Sequence, residues 1–80
     1  MSVSTDIRIK ADEAKRLKSD TAFAQFVQDV RESQMMVFAN SAAQDVEKRE
    51  EAHAIIRALN LIEVNLDAAI AAETLLDRKR

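Results

Sequence analysis

Residues 41–76, SAAQDVEKREEAHAIIRALNLIEVNLDAAIAAETLL, decide the fold. No proline or glycine interrupts them, and Ala52, Ile55, Leu59, Ile62, Leu66 and Ala69 recur three and four apart. At about 3.6 residues per turn that spacing gathers one side of a helix, so the stretch predicts a single long amphipathic helix. Ile56, Ile70 and Leu75 widen the stripe, which predicts the broad face of a packed bundle helix rather than a strict two-stranded seam.

Working back toward the N-terminus, Asn40-Ser41 reads as a turn. Asn40 tolerates a left-handed backbone better than most residues, and Ser41 with Gln44 has capping-box spacing; Asp45 offers an alternative helix start. Before the turn, Phe23, Phe26, Val27, Val30, Val37 and Phe38 sit at helical spacing and hold all the aromatic residues of the chain. They are expected to anchor the core. Asp20 is the expected N-cap of this second helix. A first, short helix over residues 7–18 is expected behind it, with a thin apolar side and residues 1–6 as a flexible arm. Residues 77–80 read as a basic tail.

The fold class predicted is all-α: an antiparallel helical hairpin of residues 23–38 against residues 42–76, with a short N-terminal helix, in one domain spanning 1–80. At 1.5 Å per residue the second helix covers roughly 30 Å and the third roughly 50 Å, so the third is expected to overhang. Ile70, Leu75 and Leu76 lie in that overhang; the first helix folding back could cover part of it, but a partner chain is favoured, so they become candidates for contact with another chain. Arg31 and Arg57 join them, since neither has an acid three or four residues away on its own helix. Met35, adjacent to Met36 and off the central stripe, is a further candidate.

Eighty residues bound the chain to one small domain, which is marginal alone unless well packed or partnered. There is no cysteine for a disulfide or thiolate metal site, and no glycine to cradle a phosphate. His53 is the only histidine and sits at no metal-ligand spacing. Glu47, Glu50 and Glu51 suit the first turns of a helix for reasons of its dipole alone. No catalytic set, metal site, cofactor or small-molecule substrate is expected. A net charge of −2 argues against nucleic acid as the main partner, the best basic set being Arg8, Lys10, Lys15, Arg16 and Lys18 with the C-terminal cluster. Glu63, Asp67 and Glu73 interrupt the most apolar run, so membrane insertion is not expected. The expected partner is a protein or a second copy of the chain.

Asp20-x-x-Phe23, Arg31, Ser41, Asp45, Arg49-Glu50, Arg57-Ala58-Leu59 and Ile62-Glu63-x-x-Leu66 together resemble a group of small all-helical proteins of tailed bacteriophages and prophages, encoded among packaging and virion-structural genes. The resemblance covers about residues 14–67. Thr21 stands where such proteins often carry proline, and their glycine-containing tail is lacking. The resemblance implies a non-enzymatic structural or accessory protein of the particle (head, portal or tail), located in the virion or the bacterial host cytoplasm. A packaging-associated or regulatory nucleic-acid-binding module is the alternative it carries.

Overall fold

The structure, a computed structural model, describes residues 2–79. Three helices follow one another: α1 (Val3–Ser19), α2 (Thr21–Asn40) and α3 (Val46–Arg78). Helix α1 begins earlier than its apolar pattern suggests. The Ser2 hydroxyl accepts a hydrogen bond from the Thr5 N–H at 3.2 Å, so residues 3–6 form the first helical turn rather than an arm.

A single extended residue, Asp20, separates α1 from α2. Its backbone N–H donates to the Leu17 carbonyl and its carboxylate accepts from the Phe23 N–H at 3.0 Å. The same residue therefore closes one helix and caps the next, as expected of it at the start of α2.

The α2–α3 turn is built without glycine and without any left-handed residue among the described ones. Asn40 is the last residue of α2 rather than a left-handed cap. The Ser41 hydroxyl donates to the Phe38 carbonyl at 2.8 Å, and Arg49 donates from one turn into α3 to the carbonyls of Ala42 and Ala43. The Ser41 hydroxyl thus satisfies a last-turn carbonyl of α2, while Arg49 holds two carbonyls of the turn itself. Asp45 accepts from the Ala42 N–H at 2.9 Å, and α3 starts immediately after it.

The all-α class holds, but the antiparallel two-helix hairpin does not. The molecule is an elongated three-helix bundle in which α1 is a full packing partner of α3, at least as extensively engaged as α2. Side-chain pairs give the register. Arg31 of α2 reaches Asn60 and Glu63, Lys18 of α1 reaches Asp67, Lys15 reaches Glu73 and Arg8 reaches Asp77. Partners thus advance along α3 as the chain is followed back from α2 into α1. Helix α2 alone is too short to accompany α3 along its length, but α1 adds 17 residues, or roughly 25 Å, and lies where α3 was expected to overhang. The extents are 56 × 23 × 21 Å and the radius of gyration is 17.1 Å, against about 12 Å for a compact chain of this length.

The core is thin. Ala11 and Ala14 of α1 and Ala52 of α3 are the only buried apolar residues among those described. Ile55, Leu59, Leu66 and Ala69 of the expected α3 seam are half-buried, while Ile62 is exposed. Phe23 and Val27 are half-buried, but Phe26 is 72% exposed and Phe38 49%, so two of the three aromatics are not the core anchors expected of them.

Candidate interaction surface

The six residues singled out for partner contact fall into three groups. Arg31 is used within the chain: its guanidinium donates to Asn60 Oδ1 and Glu63 Oε1, both at 2.6 Å, and locks α2 to α3. Its lack of an acid on its own helix was the signal for this, and the partner comes from the neighbouring helix. Ile70 and Leu76 are half-buried on the part of α3 that α1 accompanies. Met35, Arg57 and Leu75 are exposed, and Arg57 has no ion-pair partner among the described residues.

The α1–α3 boundary is electrostatic at its rim. Lys15 Nζ lies 2.6 Å from Glu73, Arg8 lies 2.7 Å from Asp77 and 3.9 Å from Glu73, and Lys18 pairs with Asp67. The hydrogen bond to Asp77 holds the Arg8 guanidinium above its ordinary value, helped by the charges of Asp77 and Glu73. The bond to Glu73, followed by that residue's charge, does the same for Lys15. The pairs on Asp67 and Asp77 are solvated and set register more than they add stability, whereas Glu73, its side chain 13% exposed, is held between Lys15 and Arg8.

Two apolar faces remain uncovered. On α2, Phe26, Val30 and Val37 form one exposed flank. On α3, Leu61 and Val64 are each 61% exposed and Leu75 is 55% exposed. Ala54, Ala68 and Ala71 are exposed in the same stripe, which continues the alternation of three and four through Leu61, Val64 and Leu75. Sequence reading followed the first stripe of α3 and missed this one. The signal was present: residues 58–77 contain four charges, Glu63, Asp67, Glu73 and Asp77, and none falls on the Leu61–Leu75 line.

An open cleft of about 280 Å³ lies where α1 gives way to α2 against α3, lined by Leu17, Phe23, Val27, Ile62 and Leu66. Its charged rim residues Lys18, Asp67 and Glu63 are tied up in the ion pairs described above. His53 sits exposed beside Phe38, Val46, Arg49 and Glu50 in a shallow depression. Among the described residues no group of three or more His, Cys, Asp or Glu is placed to hold a metal ion. The chain is a small all-helical domain without a catalytic motif. No described helix is long and apolar enough to cross a membrane.

No family model, curated protein or solved structure matches the chain.

Proposed function

We propose that this chain is a non-enzymatic assembly module that docks through its helices on other protein. The observation that supports the reading is the inverted distribution of its apolar side chains. Fourteen large ones are exposed among the described residues, while the fully buried positions are three alanines. Its accessible surface is 6132 Å², against about 4,900 Å² for a compact monomer of 9.0 kDa. Contiguous exposed apolar surface of this kind marks sites of association.

The nucleic-acid alternative loses part of its basis, since Arg8, Lys15 and Lys18 are each engaged by a carboxylate of α3. A place in a phage particle rests on the sequence resemblance alone.

The test is affinity capture by the tagged chain in cells that encode it, beside a Phe26→Glu/Val30→Glu chain of equal helix content. The expected result is a stoichiometric protein partner retained by the natural chain and lost by the variant. Equal recovery by both, or no partner for either, contradicts docking through α2. Mass spectrometry of gradient-purified particles then asks separately whether the chain resides in a virion.

A further inference from the structure

The outward stripe of α3 carries an inference that deepens the assembly reading by naming a partner. The stripe runs Leu61, Val64, Ala68, Ala71 and Leu75, alternating three and four, with Arg57 and Arg78 next in the alternation at either end. Strict alternation of this kind is the seam of a two-helix coiled coil, narrower than the face α3 turns toward α1 and α2. Every charged side chain of residues 58–77 is drawn to the opposite side. Glu63 pairs with Arg31, Asp67 with Lys18, Glu73 with Lys15, and Asp77 with Arg8. What remains outward is an uncharged strip bounded by Arg57 and Arg78.

We propose that this strip pairs with the same strip of a second copy, the two α3 helices running antiparallel. Direction follows from the charges at the ends of α3. Residues 45–51 carry Asp45, Glu47, Glu50 and Glu51 against Lys48 and Arg49, a net charge of −2, and residues 77–79 carry Asp77 against Arg78 and Lys79, a net charge of +1. Parallel copies would set acid against acid and base against base, whereas antiparallel copies set each acidic end against a basic one, with the helix dipoles opposed. Side-chain size supports the same direction. A register that places Leu61 of one copy against Ala71 of the other also places Val64 against Ala68, large against small, and sets Leu75 beside the aliphatic stem of Arg57. The pairing leaves the Phe26–Val37 flank of α2 free for a different protein.

Sedimentation equilibrium of the purified chain should give a mass twice 9.0 kDa. Val64→Glu or Ala68→Glu should weaken the dimer on the order of 100-fold or more, because each buries an unpaired charge. Phe26→Glu should leave it intact. Because the chain has no cysteine, direction is read by mixing Leu61→Cys and Ala71→Cys chains under mild oxidation. The 61–71 mixed disulfide should dominate. Homodisulfides at both positions would overturn the antiparallel arrangement whether or not the glutamate variants fold. A natural chain that stays monomeric at about 0.1 mM overturns the pairing, as does a dimer abolished by Phe26→Glu but not by Val64→Glu. A monomer that still captures a protein through α2 overturns the pairing and leaves the assembly reading standing. A dimer that captures nothing keeps the pairing and removes docking on a further component.

Discussion

The two halves of the bundle are held by different means. Where α1 lies on α3, Ala11 and Ala14 are buried and the rim is closed by Arg8, Lys15 and Lys18 on α3 carboxylates. Where α2 lies on α3, larger side chains meet: Phe23, Val27, Ile55 and Leu59 are half-buried, and Arg31 supplies the one interhelical ion pair of that half among the described residues. Alanine lets two backbones approach closely and so hides itself completely. Ala52 is hidden in the same way on the α2 side of α3, but the larger Phe26 and Val30 of α2 stay on a flank in solvent. The half richer in apolar side chains is thus the one with more to offer a partner.

Substitutions at the closest approaches should break the comparison most severely. Ala11→Leu and Ala52→Leu should each cost about 2–3 kcal/mol, since both positions are fully buried and have no room for added methyls. Leu59→Ala should follow at about 2 kcal/mol, at the low end for a leucine deletion because the side chain is only half-buried. Urea denaturation at a protein concentration low enough to keep the chain monomeric measures all three. A cost below about 0.5 kcal/mol for Ala11→Leu would show that α1 is not closely seated.

Asp20→Ala should cost about 1 kcal/mol through the lost N-cap of α2. Phe26→Ala should be nearly neutral for the monomer, within about 0.5 kcal/mol, because the ring is mostly in solvent. His53→Ala should be equally mild. A large monomer destabilisation by Phe26→Ala would return that ring to the core and erase the contrast between the halves.

The smallest effect expected is one of pH. Lys15 has a raised value in the folded chain, so its contribution is complete below the ordinary lysine range near about pH 10.4 and fades as pH rises through the raised value. Amide exchange should therefore accelerate in α1 before α2 on alkaline titration, after correction for the intrinsic dependence of exchange on hydroxide. Lys15→Gln should remove that difference.

Much of this was legible in the sequence because it is local. Asp20 as a cap, the unbroken course of α3 and, apart from the exposed Ile62, its Ala52–Ala69 seam follow from residue type and period. The turn was harder: Ser41, not a left-handed Asn40, closes α2 on the Phe38 carbonyl, and no periodicity reports Arg49 reaching back from the next helix to hold the carbonyls of Ala42 and Ala43. The position of α1 was only one of two ways the sequence offered to cover the overhang, because its apolar side is thin. Its registry is set by carboxylates some fifty to seventy residues away, the pairs Lys18–Asp67 and Arg8–Asp77. Phe26 was misplaced for a different reason. Periodicity says that a side chain shares a face with others, not that anything covers the face, and on α3 two apolar faces competed for one reading.

The central claim is that the uncovered stripes of this bundle exist to be covered by other chains, beginning with α3 on α3. Solvent paramagnetic relaxation of methyl groups across a dilution series tests it most directly. The account predicts that the Leu61, Val64 and Leu75 methyls are accessible when dilute and become protected together as concentration rises, while Val30 and Val37 stay accessible. Methyls of Leu61, Val64 and Leu75 that remain as accessible in concentrated solution as in dilute would contradict it.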